Sequence, residues 1–199
     1  MIRILIADDQ ALVRGALATL LDLEEDLEVV AQASSGPEAI AAAQDTEIDV
    51  ALLDVEMPGG NGFAACETLA ARGITVLMVT TFGRPGYVRR AFEAGAVGFV
   101  VKDAPAEELA SRVRDAAAGK RVIDPELAVD SLAAGINPLT EREIEVAREA
   151  LRGGTVDEIA RALFLSRGTV RNHVSAILAK TGGRNRADGA AKARDNGWL

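Results

Sequence analysis

The chain opens on a short apolar run, Ile2–Ala7, rich in β-branched residues and leucine, that ends abruptly in two acidic residues. Four further runs of this kind follow: Glu28–Ala33, Val50–Asp54, Val76–Thr80 and Val97–Val101. Continuous apolar runs of this length, without alternation, fit strands buried on both faces of a sheet. Between and after them, small and apolar residues recur at helical spacing, roughly over 10–22, 36–46, 62–72, 85–95 and 105–119. Five strand–helix units with short connections predict a five-stranded parallel sheet with helices on both faces. The strand pattern stops near Val101, and from Leu139 onward every apolar period is helical.

The stretch R-V-I-D-P-E-L-A-V-D-S-L-A-A-G-I-N-P from Arg121, with its two prolines, reads as a linker with a short helical piece. The expected division is a first domain over 1–120, a linker over 121–137 and a small all-α domain over 138–199. In the latter, Thr140 and Glu143 form the S/T-x-x-E spacing of a capping box. The helix that follows carries Ile144, Ala147, Ala150 and Leu151 on one face and stops at Gly153-Gly154. A second helix from Thr155 buries Ile159, Ala160 and Leu163. A third, from Ser166 to Lys180, sets Val170, Val174, Ile177 and Leu178 in a stripe.

Charge sharpens this division. The 199-residue chain has a formal net charge of −8. Residues 1–124 hold 11 Lys/Arg against 20 Asp/Glu, and residues 125–199 hold 11 against 10. Within the second part, Arg161–Ala187 has six basic residues and no acidic one. An acidic body joined to a basic end suggests a polyanion as partner of that end. No apolar stretch approaches the roughly 18 residues of a membrane span, so no membrane insertion is expected. The single cysteine, Cys66, cannot form an internal disulfide; it fits a helical apolar face and a cytoplasmic chain.

The chemistry gathers at strand ends. Ligands of open parallel sheets lie beyond the carboxyl ends of the strands, which here carry Asp8, Asp9, Asp54, Thr80 and Lys102. Asp9 alone fits an ordinary helix cap, and Asp54 before Pro58 fits ordinary turn chemistry. Three carboxylates converging without a partner would be strongly unfavourable. A hard divalent cation such as Mg²⁺ relieves this, and a carboxylate between such a cation and a lysine is placed to attack phosphorus.

Asp8-Asp9, Asp54 with Met57-Pro58 and Gly62, Thr80 and Lys102 resemble the receiver domain of bacterial two-component response regulators, a flavodoxin-like fold of strand order 2-1-3-4-5. The resemblance implies that Asp54 is the phospho-acceptor. It also implies that Asp9, Asp54 and the Glu56 backbone oxygen ligate Mg²⁺, with Asp8 acting mainly through water. Thr80 and Lys102 would contact the phosphoryl group, and Phe99 stands at the aromatic switch position. The only catalysis implied is phosphoryl transfer to Asp54 itself and its hydrolysis. Haloacid-dehalogenase-type phosphatases also use a strand-end Asp, but their motif ends the first strand, and Asp54-Val55-Glu56 imitates it only loosely.

In the helical end, two helices joined by a tight turn, the second basic and polar outward, fit helix-turn-helix DNA binding. Leu139–Glu143, Glu158-Ile159-Ala160, Leu165-Ser166, Thr169–Val174 and Ile177–Lys180 are similar to the LuxR-type four-helix domain. Joined to the receiver, this is the architecture of the NarL/FixJ response regulators. Thr80–Tyr87 and the Gly197-Trp198 ending resemble its DesR-like members. The resemblance implies base contacts at Arg171, Asn172 and Ser175, with Thr169, His173 and Lys180 nearer the backbone and Arg167 on the same face. It further implies a sensor histidine kinase, a double-stranded DNA operator and a homodimer formed on phosphorylation as partners.

Overall fold

The computed structural model describes residues 1–57, 62–81, 85–102, 106–124, 127–129 and 137–199. Pro58, Gly59, Gly60, Phe82, Asp103, Pro105 and, from the expected linker, 125–126 and 130–136 lie outside the described residues. The chain divides into two compact units, residues 1–83 and 88–129 forming the first and residues 130–199, with 84–87, the second.

Along residues 1–124 strands and helices alternate: β1 (Ile2–Ala7), α1 (Ala11–Leu21), β2 (Leu27–Ala33), α2 (Gly36–Asp45), β3 (Val50–Asp54), α3 (Gly62–Ala71), β4 (Thr75–Thr80), α4 (Pro85–Glu93), β5 (Gly98–Val101), α5 (Ala106–Ala117) and β6 (Val122–Ile123). The strands form one parallel sheet of order β2-β1-β3-β4-β5-β6. This is the expected flavodoxin-like order with one strand added. The five-stranded expectation is corrected by β6, which pairs Gly98 with Val122 and Phe99 with Ile123. Two residues carry too little periodicity to read as a strand, so the segment expected as linker starts inside the sheet. Gly98 permits the pairing, since a Cβ there would come within 2.5 Å of the Val122 carbonyl oxygen.

Ile4, Ile6, Leu52, Leu77, Val79 and Val100 on one face of the sheet pack with Ala18 and Leu21 of α1 and Leu109 and Val113 of α5. The alternate residues Leu5, Leu53, Met78 and Phe99 are fully buried on the other face. Both faces are therefore covered, as a run of continuous apolar strands requires. Cys66 is a buried core thiol whose pKa is pushed up to about 12, chiefly by burial, as expected for an inert packing residue.

The second unit is helical: α6 (Glu141–Leu151), α7 (Val156–Ala162), α8 (Arg167–Thr181) and α9 (Arg186–Asp195). Each starts on a side-chain cap. Thr140 and Thr155 form full capping boxes with Glu143 and Glu158, and Ser166 and Asn185 accept from the amides of Thr169 and Asp188. Leu139, Val146, Ala147, Ala150, Ile159, Val170, Ile177, Ala190, Ala193 and Trp198 make its core. Leu151, expected in that core, is instead 37% exposed, and Val146 takes the buried position. Asn137 donates to the Trp198 carbonyl at 2.9 Å, joining the two ends of the unit.

Candidate phosphoryl site and nucleic-acid face

β1 and β3 are neighbours in register, Ala7 opposite Leu53, so the residues just beyond them meet at the sheet's carboxyl end. Carboxylate oxygens of Asp8, Asp9 and Asp54 lie within 4.8 Å of one another. Asp8 and Asp54 are buried, while Asp9 is exposed. Asp9 is not a helix cap: the cap of α1 is Gln10, which makes no side-chain capping bond. Asp8 instead orders the turn, its Oδ1 accepting the Gln10 amide at 2.9 Å.

Lys102 reaches the same place from the end of β5. Its Nζ lies 2.6 Å from Asp8 Oδ2 and 2.9 Å from Asp54 Oδ2, with the side chain only 8% exposed. Its amide donates to the Thr80 carbonyl at 2.8 Å, which fixes Thr80, buried at the end of β4, beside it. The Glu56 amide approaches Asp54 Oδ1 at 3.4 Å, and Phe99 is fully buried in β5.

The electrostatics follow from this burial. Desolvation pushes the Asp54 carboxyl above the usual range, Lys102 pulls it back in part, and the charge on Asp8 adds to the rise. Desolvation alone would lower the Lys102 ammonium, yet the hydrogen bonds and charges of Asp8 and Asp54 outweigh it and hold the group above its ordinary value. Three carboxylates and one ammonium leave a formal net of two negative charges, with Asp9 the exposed member of the cluster. That donor set, all oxygen, fits a hard divalent cation.

Two further residues shape the site from behind. Arg14, on α1, donates to the Asp8 carbonyl; its only signal was a positive charge one turn beyond two aspartates. Gly62 is required because a Cβ would stand 1.9 Å from the Asp54 carbonyl oxygen, so α3 begins against the backbone of Asp54.

In the second unit α7 and α8 form the two helices of the expected motif. Arg171, Asn172 and Ser175 are exposed on α8 and make no side-chain hydrogen bond or ion pair among the described residues. The other candidates are engaged within the unit, His173 excepted, which is half-buried. The Thr169 hydroxyl is 2.8 Å from that of Ser166, the cap of its own helix. Arg167 Nε pairs with Asp157 at 2.6 Å, both well exposed. Lys180 Nζ lies 2.6 Å from Oε2 of buried Glu143, the capping-box residue of α6. Burial works to raise the Glu143 carboxyl, but the bonds from Lys180 and the Thr140 amide overcome it and hold the group below its usual value.

Comparison with known proteins assigns a family to each unit. Residues 4–114 match the response regulator receiver domain, and residues 137–193 match the bacterial regulatory proteins of the luxR family. The chain is 43% identical over 199 residues to the transcriptional regulatory protein DesR of Bacillus subtilis, covering all of both. It is 45% identical over 201 residues to the uncharacterized transcriptional regulatory protein YvfU of the same organism, again over all of both. Among solved structures, the response regulator ChrA of a heme-sensing two-component system aligns with TM-score 0.58 and 33% identity over 100% of this chain and 98% of that one. The RcsB–DNA complex aligns with TM-score 0.70 over 98% of each chain at 22% identity, a likeness of fold. The chain therefore belongs to the NarL/FixJ response regulators, transcription regulators that join a receiver domain to a LuxR-type DNA-binding domain.

Proposed function

We propose that the protein is a phosphorylation-switched transcription regulator whose acceptor is Asp54, and that a sensor histidine kinase supplies the phosphoryl group. The observation that carries this reading is the convergence of Asp8, Asp9, Asp54 and Lys102 on one pocket at the strand ends. Asp54 Oδ attacks phosphorus while the bond to the donor's leaving atom, a kinase histidine nitrogen or the oxygen of a small acyl phosphate, breaks. Asp8, Asp9, Asp54 and the Glu56 carbonyl would hold Mg²⁺, which when bound would offset charge on the phosphoryl oxygens. Lys102 is already within ion-pair distance of Asp54, so it can follow the added charge without moving far. The phosphoryl group brings about two negative charges and three acceptor oxygens. The Thr80 hydroxyl donates to one of them, and Phe99 repacks behind the shifted loop. The only other chemistry is hydrolysis of the phosphoryl-aspartate.

The functional boundary falls after β6, so the receiver extends to about residue 124 and the linker occupies the stretch up to 137. The changed receiver surface promotes a homodimer, and two α8 helices, each an element of the basic end, are delivered to paired half-sites of a duplex operator in the cytoplasm. Arg171, Asn172 and Ser175 read bases from the exposed face of α8; Arg167, Thr169 and His173 stand nearer phosphates. Lys180 is engaged by Glu143, so its part is to seat α8 on α6.

Intact-mass measurement after treatment with acetyl phosphate and Mg²⁺ tests the acceptor. One phosphoryl adduct is expected on the wild type and none on Asp54→Asn. A full adduct on the variant would sink the assignment.

A further inference from the structure

Phe164 occupies a position that the fold would give to another residue. Helix α7 closes in a Schellman motif: Leu163 caps it, the Phe164 amide donates to Arg161 at 3.4 Å, and the Leu165 amide donates to Ala160 at 2.8 Å. The residue after such a cap adopts the left-handed conformation, where glycine is strongly favoured. Phe164 has φ +55° and is the one non-glycine residue with positive φ among the described residues. A bulky side chain is strained there. The ring also gains no burial: Phe164 is 96% exposed, while Leu163 and Leu165 on either side pack against the core. Strain and apolar exposure at one residue, with no return to the fold, are the signature of a residue kept for a contact.

Its surroundings indicate which contact. Phe164 stands two residues before Ser166, the cap of α8, at the end of the recognition helix that enters the groove in this motif. It lies within Arg161–Ala187, the stretch with six basic residues and no acidic one. Arg161 and Arg167 flank it in sequence and, with Asp157, Ala160, Leu165 and Ser166, line an open depression of about 540 Å³. The Arg167–Asp157 pair is exposed on both sides and is weak enough to yield to a phosphate.

We infer that Phe164 is a DNA-contacting residue whose ring lies against the deoxyribose edge of the duplex, between phosphates taken by Arg161 and Arg167. This rests on the DNA-binding reading of the second unit. An uncharged ring against sugar C–H groups adds affinity for every sequence and releases no counterions, so it leaves the salt dependence of binding untouched.

The test uses the full chain, treated with acetyl phosphate and Mg²⁺, on a mixed-sequence DNA duplex over a range of salt. Phe164→Gly is expected to bind about fivefold or more weakly, with an unchanged salt slope, and to melt at a higher temperature. Phe164→Asn, which also tolerates the left-handed conformation, should lose the same affinity, and Phe164→Tyr should keep it. Unchanged binding by Phe164→Gly and Phe164→Asn, while Arg171→Ala weakens it, would overturn the contact and leave the DNA reading standing. That result would also follow if the ring served a protein partner. Weaker binding accompanied by a lower melting temperature would overturn it as a folding effect. No duplex binding by the wild type would remove the DNA reading and this inference together.

Discussion

Lys102 and Arg171 are both cations at the functional end of their units, and they stand in opposite surroundings. Lys102 is buried between Asp8 and Asp54 at 2.6 and 2.9 Å. Arg171 is exposed, with no ion pair among the described residues. A site that performs chemistry on a phosphoryl group must be organised before the group arrives, because fixed charges that need not reorganise stabilise transferring oxygens best. A surface that reads DNA must leave donors unsatisfied until the partner supplies acceptors. Lys180 breaks the symmetry: it belongs to the recognition helix by position but to the first pattern by environment, held by buried Glu143.

The largest effect is expected beside Asp54. Gly62→Ala would place a methyl group 1.9 Å from the Asp54 carbonyl oxygen, a backbone atom at the carboxyl end of the central strand β3. Because neither α3 nor β3 can yield easily, we expect a loss of about 3 kcal/mol or more, above the ordinary cost of overpacking. Chemical denaturation would measure it. Phosphorylation should fail in parallel even under conditions where the variant is folded. Stability within error of the wild type would mean that the close approach of α3 to Asp54 is not fixed.

Glu143→Ala tests the inward pattern in the second unit. It removes the acceptor of two donors, the Lys180 ammonium at 2.6 Å and the Thr140 amide at 2.8 Å. Losing one partner of a fully buried pair costs about 3–5 kcal/mol; the Lys180 side chain is 32% exposed and rehydrates. A loss of about 2 kcal/mol is expected, including the broken capping box. Its pH dependence has a definite sign. The folded Glu143 carboxyl lies below its usual value, so its contribution is present above the ordinary carboxylate range and disappears as pH falls through the folded value. In acid the variant and the wild type should therefore converge; a difference that persists undiminished would exclude the charge as its origin.

DNA binding separates Arg171 from Lys180 more finely. Arg171→Ala should weaken specific binding by about 1–3 kcal/mol if the side chain reads a base edge. Lys180→Met should leave the salt slope nearly unchanged, because a cation already neutralised by Glu143 releases few counterions. A slope reduced by about one unit in Lys180→Met would place that lysine on a phosphate instead.

These cases mark what the chain's letters disclose. The strand-end aspartates and Lys102 were legible because an open parallel sheet leaves such residues only one place to meet. The capping box at Thr140 and Glu143 was legible because its spacing is its geometry. What was not legible depended on side-chain partners distant in sequence. Lys180 meets Glu143 across 37 positions, and no local pattern announces such a pair. Strand β6 was missed for a different reason: two residues have no period, and only the neighbouring Gly98–Val101 makes Val122–Ile123 a strand. Asp9 shows a third kind of failure, since a strand-end Asp before a helix suits capping by type, and the chain places the cap one residue later at Gln10.

The smallest effect is a gain. Burial, reinforced by the charge on Asp8, holds the Asp54 carboxyl above its ordinary value despite Lys102. A folded carboxyl with a raised pKa binds its proton more tightly than the unfolded chain does. Its ionisation therefore lowers stability as pH rises from the unfolded value, about 3.9, through the folded one, and the full cost persists above. Asp54→Asn removes that cost while keeping the shape and one acceptor oxygen, with Asp8 still pairing Lys102. Without divalent cations at neutral pH, the variant should melt slightly above the wild type, and the gap should close as pH approaches 4. Mg²⁺ should reverse the order, because it would stabilise a three-carboxylate site more than one that has lost a ligand. Melting curves at two pH values, with Mg²⁺ and with a chelator, would read both trends. If Asp54→Asn melted lower than the wild type in chelator at neutral pH, the Lys102 ion pair would outweigh burial. The acceptor would then be an ordinary stabilising pair rather than a charge held ready against its own environment.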